Sequence, residues 1–221
     1  MIIPTEPIGS IPRPLPLIEA FTKMDWDDSR LEPLYKEAIL DTIERFEATG
    51  SPVITDGEQR KYHNFATYCI EKLPNLAPDG FKLPFIGHTR HWPRLTSGPF
   101  RYSRFAYSYL EFAQRHAHVP VKQAVISPSA LSLMYPPEGI PDYPRDYFID
   151  DLLSEHVIEV RRCLEMGAYK VQIDFTEARL AIKLDPSGGL LDSFIDLNNL
   201  ALARFSTEER KRYRRSYLSG R

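Results

Sequence analysis

The chain has 221 residues, 43% hydrophobic, 12% aromatic and 26% charged, which supplies a real core and excludes an intrinsically disordered chain. Its 28 Lys and Arg nearly balance 30 Asp and Glu, for a net charge of −2, so a polycation that binds nucleic acid or anionic membrane through bulk charge is excluded. Two cysteines, Cys69 and Cys163, make no disulfide framework and cannot alone supply the four Cys/His ligands usual for structural zinc. The first twenty residues hold prolines at 4, 7, 12, 14 and 16 with Glu6 and Arg13, so no secretory signal forms there. No apolar run approaches the ~20 residues of a bilayer span. These features predict one cytoplasmic domain over 1–221, with no membrane and no nucleic-acid partner.

In chain order, Met1 to Pro7 reads as a short apolar start, broken by Ile8-Gly9-Ser10. Leu31 to Thr49 is the clearest helix, with Leu31, Leu34, Tyr35, Ala38, Ile39, Thr42, Ile43 and Phe46 on one stripe. Ser29 and Glu32 have capping-box spacing, and Gly50 ends the helix. Pro52 to Asp56 is a strand closed by Gly57-Glu58. Residues 71–101 are punctuated by Pro and Gly and read as a long loop or a small excursion. Tyr102 to His116 is helical, Val119 to Ser127 a strand, Asp146 to Met166 a helix stopped by Gly167. Tyr169 to Phe175 is a strand and Leu190 to Phe205 a helix. Residues 211–221 form a basic tail, a solvated end.

Strand then helix, four times over, predicts parallel strands with right-handed crossovers. A doubly wound sheet and a (β/α)8 barrel both fit, and the absence of a G-x-G-x-x-G opening a helix weakens the dinucleotide-binding version. Four units are half of a barrel, which typically takes ~250 residues, so further units are expected after the last one here.

In such folds the chemistry collects at the C-terminal ends of the strands. Those ends offer Gly9-Ser10, then Asp56-Gly57-Glu58, then Gln172 and Asp174. In YKVQIDF, Lys170, Gln172 and Asp174 share one face and the apolar residues the other. Glu58 and Asp174 fit convergence on a cationic group such as an amine, and equally fit caps of the segments that follow. The histidines of the loop (His88, His91), with His63 and Cys69, read as solvated or as a zinc group. His156 and Cys163 lie on a helix stripe and read as core. Arg90, Arg94 and Arg101 around Trp92 and Phe100 fit either an anion or aromatic grip or a solvated loop.

Five stretches recur in a known order: IGSIPRP (8–14), ITDGEQRKYHNF (54–65), HWPRLTSGPFRY (91–102), VKQAVISPSAL (121–131) and VQIDFTEARLAIKLDPSGGLL (171–191). From about Ile2 to about Arg210 the chain resembles the cobalamin-independent methionine synthase family, in particular its short, single-barrel members. The resemblance implies an α/β, parallel (β/α)8 TIM-barrel fold, apparently truncated to about the first four βα units. It implies methyl transfer from a methyl-folate to the thiol of homocysteine, with zinc and without cobalamin. Zinc in that family binds the thiol as thiolate, which lowers its pKa and makes a nucleophile at neutral pH.

Carried over by motif, Ile8, Gly9 and Ser10 bind the amino-acid carboxylate, Glu58 holds the ammonium, and Asp174 is its second carboxylate partner. The family's zinc ligands follow a later strand, as His-x-Cys with a further Glu and Cys, and nothing after Asp174 offers them. The isolated chain is therefore expected to hold no tight zinc site and to be inactive alone. After the Asp of QID the family reads Glu-Pro, whereas Phe175-Thr176 and then Glu177 stand here. The family's pterin-stacking position falls near Met134-Tyr135. Other readings are a non-catalytic remnant that associates through an open barrel edge, zinc-dependent alkyl transfer to another thiol, and a zinc-free barrel related to uroporphyrinogen decarboxylase.

Overall fold

The computed structural model describes residues 5–61, 67–77, 80, 82–85 and 88–216, and of these 83–85, 88, 90 and 213–216 by their backbone alone. In order, the elements are α1 (Leu15–Phe21), a 3-10 turn (Ser29–Leu31), α2 (Glu32–Ala48), β1 (Leu76–Ala77), β2 (Lys82–Phe85), β3 (His88–His91), β4 (Arg94–Leu95) and α3 (Tyr107–His116). There follow β5 (Gln123–Ile126), α4 (Pro128–Ser132), α5 (Arg145–Glu165), β6 (Val171–Asp174), α6 (Ala178–Leu184), α7 (Gly189–Ala203), α8 (Thr207–Arg212) and β7 (Tyr213–Ser216).

Strands β5, β6 and β7 form one parallel sheet, with Ile126 beside Asp174 and Asp174 beside Ser216. A parallel bridge between Ile54 and Val121 adds a further position on the β5 side, closed by Ile54 N–H to Pro120 (3.0 Å) and Lys122 N–H to Ile54 (2.9 Å). Neighbours in space thus follow chain order, without the reversal that defines a doubly wound sheet. Val171 and Ile173 join the main core with Phe148, Leu152, Val160 and Cys163 of α5 and Ile39 and Ile43 of α2. Residues two apart on a strand share a face, so Gln172 and Asp174 lie opposite that core. No helix among the described residues is long and apolar enough to cross a membrane.

Several expectations need correction. Residues 1–4 of the first apolar segment lie outside the described residues, and 5–14 form no strand. The strand expected at 52–56 shrinks to the bridge at Ile54. There Thr55 Oγ1 accepts from Gly57 N–H (3.1 Å) and Asp56 Oδ1 from Glu58 N–H (2.9 Å), local bonds that compete with a ladder. Helix α2 has no capping box at Ser29: the Asp28 carboxylate caps a 3-10 turn by accepting from Arg30 N–H (2.9 Å). The 71–101 stretch is more than a loop. It carries two short antiparallel ladders, β1 with β4 and β2 with β3, and sends Trp92, Leu95 and Phe100 into the core. Strands of two to four residues show no readable periodicity. The 211–221 tail is not wholly a solvated end, because 213–216 pair with β6.

The helix expected from Tyr102 starts at Tyr107, for a visible reason. Asp151, Glu155 and Glu159 lie on successive turns of α5 and take the backbone N–H groups of Phe100 (3.2 Å), Tyr102 (3.1 Å) and Ala106 (2.9 and 3.1 Å). Tyr68 Oη also donates to Glu159. The carboxylates tie 100–106 to α5 outside any helix. Burial pushes the Glu159 carboxyl up to about 7, against its donors. Replacing Glu159 by Leu strands two buried donors, so Glu159→Leu is expected to lose about 3 kcal/mol of unfolding free energy. Glu159→Gln, which keeps one acceptor, is expected to lose less; urea denaturation checks both.

Candidate functional site

The second strand end turns back on itself through two left-handed residues, Gly57 (φ +65°) and Glu58 (φ +59°). A Cβ at Gly57 would lie 2.8 Å from both Ile11 Cγ1 and Thr42 Cγ2, so the backbone is pressed between the N-terminal segment and α2. Ile11 N–H donates to Gly57 O (3.2 Å). Arg13 completes the clasp, giving N–H bonds to the carbonyls of Gln59 (3.0 Å), Glu58 (3.2 Å) and Lys61. The segment bearing Ile8, Gly9 and Ser10 is thereby tied beside the Glu58 turn. Gly9 is left-handed (φ +77°) with open space where a side chain would be, and Ile8 and Ser10 are exposed.

Four carboxyl groups are buried at the strand ends: Asp56, Glu58, Asp174 and Glu177. Burial pushes Glu58 up to about 7; Lys61 opposes this, Asp174 and Asp56 add to it, and Arg13 opposes it. The charge of Asp174 is felt at Glu58, so the Glu58 turn and the end of β6 share one electrostatic neighbourhood. Asp56 is also raised by burial, with Lys61 opposing. Lys61, 1% exposed, donates to Ala124 O (2.7 Å). Asp174 accepts from Gln172 Nε2 (2.7 Å). Glu177 is pushed up to about 7 by burial, although the hydroxyls of Ser127 (2.5 Å) and Ser129 donate to its Oε1. Asn198 Nδ2 in turn donates to Ser129 Oγ (2.8 Å).

Arg13, Lys61 and the Ser127–Ser129–Asn198 group were not anticipated as parts of this region. Arg13 and Lys61 stand within the quoted motifs, but no periodicity says which backbone they clasp. Of the loop arginines, Arg94 and Arg101 are committed to acids and form no grip around Trp92 and Phe100. Arg94 pairs with Glu138 (3.0 Å) and Arg101 with Asp151 (2.5 Å) and Glu155 (3.7 Å), while Trp92 and Phe100 are core. His63 and the side chains of His88 and Arg90 lie outside the described residues, and His91 is exposed.

The described residues do not fit a zinc ion. No three of their His, Cys, Asp and Glu side chains are grouped so as to hold a metal. Cys69 and Cys163 are unlinked and fully buried, and burial raises both thiols, the reverse of what a thiolate ligand needs. Burial also drives His156 down to about 3.

No family model matches the chain, and no curated protein matches it. Among solved structures it is similar to a B12-independent methionine synthase from Shewanella sp. W3-18-1 in complex with selenomethionine. That match has a TM-score of 0.70 and 18% identity, covering 93% of this chain and 60% of the other. It is also similar to a putative vitamin-B12 independent methionine synthase from Listeria monocytogenes, at TM-score 0.63 and 20% identity, over 90% of this chain and 61% of that one. At such identities the likeness shows the fold, an α/β fold shared with these structures. The chain spans about 60% of their length.

Two outcomes are expected. Gly57→Ala forces a Cβ into Ile11 and Thr42 at positive φ, and is expected to cost about 2 kcal/mol in thermal or urea unfolding. Glu58 has a folded pKa above its unfolded value, so the folded state holds the proton more tightly and stability falls as pH rises from about 4.5 to about 7. Glu58→Gln removes that share. The variant is expected to match the parent at pH 4 and exceed it at pH 8 by an amount on the order of 2 kcal/mol, read from denaturation curves at the two pH values.

Proposed function

We propose that the strand-end cluster is the head-group pocket for an amino-acid thiol of the homocysteine type, in a methyl-transferring barrel of the cobalamin-independent methionine synthase kind. The carrying observation is that Glu58 and Asp174 lie buried within reach of each other's charge. An ammonium between two such carboxylates relieves their repulsion and is paired on more than one side. The backbone N–H groups of Gly9 and Ser10 and the Ser10 hydroxyl take the ligand carboxylate, and Ile8 borders them. Parallel strands whose spatial order follows the chain support an arc of a (β/α)8 barrel. In this reading a methyl-folate is the donor, the small-molecule thiol is the partner, and the outer edge of β7 offers a route to association. The two unlinked cysteines agree with a reducing, cytoplasmic compartment.

One observation favours a second reading, a scaffold that binds the ligand and performs no methyl transfer by itself. The described residues do not fit the zinc that acidifies the thiol in that kind of enzyme. The chain's own residues bind and orient the head group, and they hold a proton. With Glu58 at about 7, an arriving ammonium displaces a proton from its carboxyl, so affinity rises with pH across neutrality.

Calorimetry with L-homocysteine tests this. Binding is expected to strengthen from pH 6 to pH 8 with proton release, and to weaken about tenfold or more in Glu58→Gln and in Asp174→Asn, a loss of ~1.4 kcal/mol or more. 4-Mercaptobutyrate, which is homocysteine without the ammonium, is expected not to compete. Equal affinity for the two thiols, or an Asp174→Asn protein that binds as the parent does, would sink the head-group assignment. A methyl-folate assay then separates the enzyme from the scaffold.

A further inference from the structure

A chain of polar contacts runs along the strands from the N-terminal segment to Asp174. Glu6, two residues before Ile8, accepts from Lys170 Nζ (2.6 Å) and from Lys122 Nζ (3.2 Å). Lys122, whose side chain is 3% exposed, also donates to Gln172 Oε1 (2.9 Å). Gln172 Nε2 then donates to Asp174 Oδ1 (2.7 Å). Lys122 stands one residue before β5, and Gln172 and Asp174 sit two apart on β6.

The direction of each bond in this chain is forced by chemistry. An ammonium only donates, so it turns the Gln172 oxygen toward itself. The amide NH2 is then aimed at Asp174. An N–H donor favours the ionised carboxylate, which accepts and cannot donate. Without the ammonium the amide is free to flip, and its oxygen against the carboxylate would favour a protonated Asp174. The direction of the chain is thus set at Lys122 and read out at Asp174.

Burying a lysine has a cost, and it is visible: burial pulls the Lys122 ammonium down, with Glu6 opposing. Glu6 is pushed up by burial, but the bonds from Lys170 and Lys122 outweigh this and leave it below its ordinary value. Other charged groups around Asp174 are the Glu58 and Glu177 carboxyls, both raised in part by its charge. Lys61 and Asp56 act in turn on Glu58, Lys61 opposing its rise and Asp56 adding to it.

We propose that Lys122 and Gln172 are positioning residues for the ligand-binding carboxylate of Asp174, and that Glu6 ties them to the segment carrying Gly9 and Ser10. This rests on the reading of Asp174 as the ammonium partner. It adds that both halves of the pocket, carboxylate side and ammonium side, are aligned through one buried lysine.

The test is a 13C-carboxyl NMR titration of the full chain, labelled at aspartate, with the Asp174 signal identified by its loss in Asp174→Asn. Lys122→Met and Gln172→Met keep side-chain volume and break the chain at different links. Each is expected to raise the Asp174 pKa by about one unit and to weaken L-homocysteine binding about tenfold. If Lys122→Met does not fold, Gln172→Met decides, since it leaves the Lys122–Glu6 pair intact. An Asp174 pKa within about 0.3 unit of the parent in a folded variant overturns the positioning role, because a merely structural contact would leave it there. If the parent does not bind L-homocysteine, the ligand reading fails, and the titration still decides whether Lys122 and Gln172 set the state of Asp174.

Discussion

Carboxyl groups buried against the parallel strands are the constraint to which the rest of the structure answers. Taking a carboxylate out of water is expensive unless donors or cations replace the water. Each buried acid here recruits a different set. Asp174 takes the Gln172 amide, with Lys122 behind it. Glu177 takes two serine hydroxyls. Glu159 takes a tyrosine hydroxyl and a backbone N–H. Glu58 has Lys61 and Arg13 in its field and is still pushed up to about 7. The conformations of the N-terminal segment, of the 55–61 turn and of residues 100–106 follow from which donors those acids need.

The same rule separates two kinds of acid. Along α5, Asp151, Glu155 and Glu159 are satisfied by the chain itself: they hold backbone N–H groups and set where α3 begins. At the strand ends the pairing is with like charge nearby, Glu58 with Asp174 and Asp56, and Asp174 with Glu177. A cluster whose members raise one another is stabilised most by an external cation, and that difference is why the ligand is proposed at the strand ends.

The sequence showed the long elements and much of the chemistry, for reasons that can be named. Helices α2, α5 and α7 have stripes long enough to outvote noise. The alternation in YKVQIDF put Val171 and Ile173 on one face and Gln172 and Asp174 on the other, as the core cluster and the Gln172–Asp174 bond have it. What was not legible depends on partners far away in the chain. The start of α3 is decided by carboxylates 51 to 53 residues further on. The fate of the 52–56 strand is decided by side chains bonding their own backbone. Arg13 reaches carbonyls 45 to 48 residues away, and a basic residue between two prolines carries no mark of that. Residues 213–216 pair with β6 although their composition reads as a charged end, because a parallel edge is satisfied by backbone groups and needs little from side chains.

Recognising an amino-acid thiol and activating its sulfur are separable tasks with opposite electrostatic demands. Head-group recognition wants carboxylates for the ammonium and N–H donors for the carboxylate, the roles proposed for Glu58 and Asp174 and for the Gly9 segment. Activation wants a cationic centre beside sulfur, since a free thiol titrates near ~8.5 and is mostly protonated at neutral pH. Around the strand ends the buried lysines and the half-buried Arg13 have partners of their own: Lys61 a backbone carbonyl, Lys122 Glu6 and Gln172, and Arg13 three carbonyls. A field dominated by four carboxyls raises a nearby thiol's pKa rather than lowering it. On the proposed reading the described residues serve the first task, and whatever acidifies the sulfur must bring enough positive charge to overcome the same acids that would hold the ammonium.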